Sequence, residues 1–425
     1  MTYDPKAPYE YILAAYANIL GIGIPLVTEV GHLIPIPVFE QVILEDLCKC
    51  ATNYFQRVPI VLQIDGPLVV VGDLHGNIFD LIRILTINRP PPYQKYLFLG
   101  DYVDRGEFSV EVITIMFALA LKYPKNIYLL RGNHEETSLN SLYGFKQELS
   151  HNQYSNDLWV KFNIVFDLLP FAAILNGRIF CVHGGLSPDL KSLDDLHRIH
   201  KPISPQSSSL LLDIIWSDPT DASEDFTPSL RGSGKQFGKN VIYTFLADFG
   251  FDAIFRGHQC VVDGVERFGE TDLYTIFSCS NYCDRYQNRC GFIIVYEGNS
   301  FQAYALPPIP QVKRANTSMI SVPTIFIPTF LLQKVDPTNN NTNFTNDEVS
   351  NIPSPPHLVS TMPIEINFKP TEKTNPIASL PSLGSPAKKN IKSYANPFRS
   401  FTSNMKIGKR KKSGFKPCTS FVRPS

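Results

Sequence analysis

Two hydrophobic rhythms alternate along the first part of this chain. Residues Leu68–Val71, 96–99 and 127–130 are short uncharged runs and predict buried strands. Between them apolar positions recur at helical spacing. That predicts helices from 77 to about 86 and over Ser109–Lys122, with a further helical stretch over 136–148. Residues 37–57 read as one more helix, and 11–27 as an apolar helix packed on the body and ending near Gly21. Strand and helix follow one another in βαβαβ order, which predicts an α/β fold with helices on the sheet faces. Farther along, 178–183, 253–255, 273–277 and 291–296 read as strands between long loops, enough for a second and more irregular sheet.

This grammar stops after Pro307, where prolines begin to recur among polar runs. The expected division is a catalytic body over 1–310 and a Pro/Ser/Asn-rich, largely disordered tail over 311–425. Charge divides at the same place. The 425 residues are neutral overall, but residues from 311 onward hold 16 Lys/Arg against 5 Asp/Glu, and those before hold 23 against 34. An acidic body with a basic tail is two physical objects. The eight cysteines are scattered, several in apolar runs, and read as reduced intracellular thiols with no disulfide frame. The apolar stretch 11–27 has no basic start and no small-residue cleavage pattern, and it contains Pro25. It is expected to be neither a signal peptide nor a membrane span.

Chemistry changes the picture at the strand ends. Each of the first three strands stops at a glycine followed by polar residues: Gly72-Asp73-Leu74-His75-Gly76, then Gly100-Asp101-Tyr102-Val103-Asp104-Arg105-Gly106, then Arg131-Gly132-Asn133-His134-Glu135. On an extended chain Asp73 and His75 point the same way. In parallel sheets the carboxyl ends of strands lie side by side and form the ligand-binding edge. Asp73, His75, Asp101, Asn133 and His134 are therefore expected to converge. Adjacent strands lie about 4.8 Å apart, which lets Asp101 sit between its neighbours and bridge two ions. His183 and His258 end two further strands, in "FCVHGG" and "IFRGH". Imidazole with carboxylate suits Mn, Fe or Zn better than Ca, and two such ions make a two-metal hydrolase site.

Taken in order, "GDLHG", "GDYVDRG", "RGNHE", "HGGLSP", "RGH" and "SNYC" resemble the PPP family of serine/threonine protein phosphatases, nearest in look to the type 1 and type 2A catalytic subunits. The resemblance runs from about residue 40 to 306 and includes "YGF" at 143–145 and "IWSDP" at 215–219. It implies the calcineurin-like metallophosphoesterase fold, a central β-sandwich of two mixed sheets flanked by helices. It implies that Asp73, His75 and Asp101 hold a first divalent metal and Asp101, Asn133, His183 and His258 a second. The pair would be drawn from Mn, Fe and Zn, with a water or hydroxide between the ions attacking phosphorus. Arg105, Arg231 and Asn133 would bind the phosphoryl group, Tyr282 would line the substrate entrance, and His134 would protonate the leaving oxygen while Asp104 holds its imidazole. Cys283 is expected to be a passive wall.

The sequence departs from the family pattern at Gly257 (usually Ala), Ser280 (usually Pro) and Ser229 (usually Asn), which bears on loop rigidity and subfamily more than on chemistry. Arg267, Asn299 and Ser300 stand at positions matching an apolar regulator groove of the type 1 enzyme, so that partner set is not carried over. The expected partners are phosphoprotein substrates and regulatory subunits of unknown identity, with no nucleic acid. The expected compartment is cytoplasmic or nuclear. Two other classes stay open: a nucleotide-directed metallophosphoesterase, which the same ligands would serve, and a catalytically weak scaffold. In the tail, the basic run 406–412 reads as solubilising charge, an import signal or a patch for anionic lipid. Ser354 and Ser385 precede prolines, as proline-directed kinase sites do, and the apolar island 322–335 is expected to pack on the body or bind a partner. A basic tail lying over an acidic cleft would be autoregulatory.

Overall fold

A computed structural model of the chain describes residues 3–21, 24–322 and 362–368. The expectations for most of the apolar island, for Ser354 and Ser385, for Cys418 and for the basic run 406–412 lie outside the described residues.

Two six-stranded mixed sheets form the centre. In the first, Leu68–Val71, Tyr96–Phe98 and Ile127–Leu129 run parallel, as their order in the chain predicts. The hairpin Cys290–Val295 and Phe301–Leu306 continues this sheet antiparallel on the other side of Leu68–Val71. In the second, the order is Val265–Arg267, Leu273–Ile276, Ala253–Arg256, Ile179–Val182, Ala172–Leu175, Val61–Ile64. The strand expected at 291–296 therefore belongs to the first sheet.

Side-chain alternation explains why the sheets stack. Leu68 and Val70 point into a core shared with Leu62, Ile64, Cys181, Phe255 and Ile276 of the second sheet. Val69 and Val71 point the other way, into the core built with helices Pro8–Ala15, Gln41–Phe55, Ile78–Asn88 and Ser109–Lys122. The far face of the second sheet is covered by Ser209–Trp216 and Lys239–Phe249, through Leu211, Ile214, Ile215, Ile242 and Phe245. The result is a sandwich with helices on both outer faces, and strands buried on both faces carry the continuous apolar runs seen in the sequence.

Several elements differ from expectation. Residues 36–39 form a strand before the helix Gln41–Phe55 begins, because Ile36–Phe39 pairs with Met319–Val322. The stretch 136–148 breaks into Thr137–Asn140 and Phe145–His151, since Gly144 takes φ +141°, which no helix accommodates. The N-terminal apolar stretch stays helical to Leu20, with Gly21 as its cap. No helix among the described residues is long and apolar enough to cross a membrane. The described cysteines are free thiols.

The packed body extends past the boundary expected at 310. Met319–Val322 pairs with Ile36–Phe39, and Val322 is buried. Ile364–Ile366 adds an antiparallel strand to the edge at Phe301–Leu306. Phe368 then packs edge-to-face on Tyr274, with ring centroids 5.1 Å apart. These contacts lie far along the chain from their partners, so local composition gives no hint of them.

Candidate active site and metal centre

The two sheets meet at their strand ends. Asp73, just past Leu68–Val71, bridges to Phe277 past Leu273–Ile276, and Ser278 N donates to Asp73 O at 3.2 Å. The close approach is sterically demanding. A Cβ on Gly72 would lie 2.0 Å from Ile276 O across the two sheets, and within the first sheet a Cβ on Gly132 would lie 2.2 Å from Asp101 Oδ1.

Asp73, His75, Asp101, Asn133, His134, His183 and His258 are brought together here, all buried. Asp101 is the hub. Its Oδ2 lies 3.6 Å from His75 Nε2 and its Oδ1 lies 3.3 Å from His183 Nε2. Among the described residues, two groups of donor atoms are close enough to share a cation. One is Asp101 with His75 and His134, the other Asp101 with His183 and His258. Asn133 Oδ1 joins the second at 2.9 Å from His183 Nε2, and Asp73 Oδ2 approaches the first at 3.8 Å from His75 Nε2.

The outer ring nitrogens are already committed. His75 Nδ1 lies 3.1 Å from Val103 O and His183 Nδ1 lies 3.0 Å from Leu99 O. Donation to those carbonyls turns both Nε2 atoms inward with their lone pairs available, as a metal ligand requires. Two inward polar atoms, Asp73 Oδ2 and His258 Nε2, are buried without a hydrogen-bond partner. Buried polar atoms are normally satisfied, so these two mark where a cation fits. The donor set of carboxylate, amide and imidazole suits a pair of divalent ions.

His134 differs from the other imidazoles. Its Nδ1 lies 2.6 Å from Asp104 Oδ2, and the other Asp104 oxygen accepts from Phe145 N at 2.8 Å. Burial alone would lower the His134 pKa; the carboxylates of Asp101 and Asp104 outweigh it and hold it above the ordinary imidazole value. His258 goes the other way: burial, then the Arg231 charge, push it well below. Burial would raise Asp101, but the imidazoles of His183 and His134 hold it well below the usual carboxylate range.

Backbone strain concentrates at this centre. His75, Asp101, Asp104, Arg105 and His258 all have positive φ, between 43° and 72°. Such conformations persist only where surrounding contacts over-determine them. Glu135 supplies many of those contacts. Its buried carboxylate accepts from Asp101 N (2.7 Å), Tyr102 N (2.8 Å) and Gly132 N (3.0 Å), fastening the second and third strand ends together. The sequence shows Glu135 as one more carboxylate in a motif; its role rests on backbone partners that only the fold assembles. Glu135→Gln puts an amide N–H against backbone donors. It is expected to weaken metal binding about 10- to 100-fold, read as bound metal per chain against free metal concentration.

Arg105 and Tyr282 line a cleft of about 170 Å³ beside the centre, together with His75 and Cys283. The Arg105 guanidinium lies over the Tyr143 ring at 4.1 Å, and Tyr282 stacks on His75 with centroids 5.1 Å apart. Arg231 stands on the second-sheet side, paired with Asp218 through Nε–Oδ2 at 2.5 Å. Asp218 is held in turn by the buried Arg256 at 2.9 Å, an anchoring pair that sequence reading assigned no role. At Gly257 the structure adds a reason to the expected backbone freedom: a Cβ there would meet Asp73 Oδ1 at 2.4 Å.

Comparison with known proteins follows the same line. Residues 66–262 match the family model described as calcineurin-like phosphoesterase. Among solved structures, the chain is similar to a protein serine/threonine phosphatase from Saccharomyces cerevisiae with similarity to human phosphatase PP5. Identity is 31% over 61% of this chain and 84% of that one, with a TM-score of 0.58. A cold-active protein-tyrosine phosphatase from a psychrophilic Shewanella species matches at 16% identity over 60% of this chain and 82% of that one, with a TM-score of 0.44.

Proposed function

This chain belongs to the PPP family of serine/threonine protein phosphatases, within the calcineurin-like metallophosphoesterases, and from that premise we propose that it hydrolyses phosphoserine and phosphothreonine in proteins. Phosphoester hydrolysis itself follows from the family. The observation that carries the finer reading is one carboxylate, Asp101, common to two donor groups, beside an imidazole braced by Asp104.

Asp73, His75 and Asp101 would hold one cation, and Asp101, Asn133, His183 and His258 the other. Mn, Fe or Zn suits these donors. When bound, such a pair polarises the phosphoryl group and activates a water for in-line attack. The remaining work belongs to the chain. Arg105 and Arg231 offer planar donor forks to the phosphoryl oxygens, and Asn133, whose Oδ1 lies 2.9 Å from His183 Nε2, offers its amide N–H group. Asp218 supports Arg231 in that role by holding its Nε and, at 3.5 Å, its Nη2, which leaves Nη1 for a phosphoryl oxygen. His134 donates Nδ1–H to Asp104 and so presents Nε2 to the centre, where it gives a proton to the departing Ser or Thr oxygen. Asp104 favours the protonated imidazole, the form an acid needs. Tyr282 forms the wall over which the substrate side chain enters.

The test is turnover of a phosphothreonine peptide against a dinucleoside polyphosphate by the full chain supplied with Mn. Phosphate release from the peptide at a higher kcat/KM is the expected result. Preference for the nucleotide would favour a nucleotide-directed phosphoesterase, and turnover of neither would favour a scaffold.

A further inference from the structure

The chain that leaves the second hairpin does not simply depart. Pro307 O accepts from Arg83 Nη2 at 2.8 Å, and Ile309 N donates to Ser280 Oγ at 3.3 Å. Gln311 Nε2 donates to the carbonyls of Ser280 (2.8 Å) and Asn281 (3.3 Å). Lys313 Nζ lies between Glu107 Oε1 (3.2 Å) and Asp284 Oδ2 (3.6 Å). Arg314 closes the run: its N–H donates to Glu107 Oε2 at 2.6 Å and its guanidinium pairs with Glu111 at 2.7 and 2.8 Å. Residues 309–314 thus touch two loops at once, the one carrying Tyr282 and the one carrying Arg105, and Gln311 and Lys313 complete the wall of the cleft between them.

Both loops need holding. Asn281, Cys283 and Asp284 have φ of 48°, 57° and 53°, and Asp104 and Arg105 have φ of 72° and 70°. Ser280 is the contact point on the first loop: its N–H donates to Asp80 Oδ2 at 2.7 Å, and its hydroxyl receives Ile309 N. A proline could make neither bond.

We propose that residues 309–314 are a positioning strap, which fixes the Tyr282 loop to the Arg105 loop through hydrogen bonds and ion pairs. Gln311 and Lys313 are its positioning residues. The proposal rests on the phosphatase reading for its effect on catalysis, but its physical content, two loops held by one segment, does not.

The test uses the full-length, metal-loaded protein with the double substitution Gln311→Ala and Lys313→Ala. Hydrogen–deuterium exchange is followed over 278–290 and 101–108, with the strand Val61–Ile64 as reference. Kinetics are measured on a phosphothreonine peptide. Exchange in the two loops should quicken about tenfold with the reference unchanged, since local opening is controlled by local contacts. Metal content should not change, and KM should rise about tenfold while kcat stays within about threefold, the signature of lost positioning in the ground state. Lys313→Arg, which keeps the ion pairs, should behave as wild type. Unchanged loop exchange, an equal rise everywhere, or loosened loops with an unchanged KM would overturn the proposal. If the wild type turned over no phosphopeptide, the phosphatase reading would fail, and the exchange data alone would decide on the strap.

Discussion

Asp101→Asn should strip the protein of both cations and lower kcat on a phosphothreonine peptide about 10³-fold or more, the rate equivalent of several kcal/mol of transition-state stabilisation. The size of this effect comes from position. Asp101 is shared by both donor groups, with one oxygen toward His75 and the other toward His183. Asparagine keeps the volume but removes the charge and one acceptor. With its one oxygen accepting from His134 N, as Asp101 Oδ1 does at 2.9 Å, its NH2 group would replace the oxygen that faces His75. No neighbour can replace it: Asp73 is committed through Oδ1 to His258 N at 2.9 Å, and Glu135 is committed to three backbone N–H groups. Metal per chain by elemental analysis, alongside turnover, checks the result. A variant that keeps two ions and a tenth of the rate would contradict it.

His134→Asn should behave differently. The imidazole lies near Asp101 and His75 and by proximity alone would pass for a ligand. Its bond to Asp104 argues for an acid. Removing an acid leaves the metals in place and lowers kcat about 10²- to 10⁴-fold. A substrate whose leaving group needs no proton, such as p-nitrophenyl phosphate, should lose much less than a phosphothreonine peptide. Equal loss on both substrates, together with loss of metal, would make His134 a ligand. Asp104→Asn should follow His134→Asn in this substrate dependence, because an amide at 104 no longer favours the protonated ring.

The strand-end chemistry was legible because it obeys local rules. An apolar run must end where its sheet ends, and a Gly followed by Asp or Asn at three successive ends marks one edge, which is where Asp73, Asp101 and Asn133 lie. The second sheet was legible in its strands 179–182, 253–256 and 273–276, but Val61–Ile64 and Ala172–Leu175 were missed, being four-residue runs with no chemistry at their ends. The helix expected at 37–57 lost its first residues to pairing with Met319–Val322, a partner nearly three hundred residues along, and tertiary pairing of that kind overrides helical spacing. Glu135 and the hold of Asp80 on Ser280 were illegible because their partners there are backbone N–H groups, and no side-chain pattern in a sequence reports where a backbone N–H is aimed; the strap was illegible because its ion-pair partners Glu107 and Glu111 lie about two hundred residues earlier.

The account stands on two cations flanking Asp101. The most direct measurement is anomalous scattering from crystals of the Mn-loaded wild-type protein, collected at the Mn edge. The account predicts two peaks in the buried centre, one on each side of the Asp101 carboxylate, with His258 Nε2 and Asp73 Oδ2 turned toward different peaks. No peak there, or a single peak that leaves Asp101 out of its coordination, would contradict it.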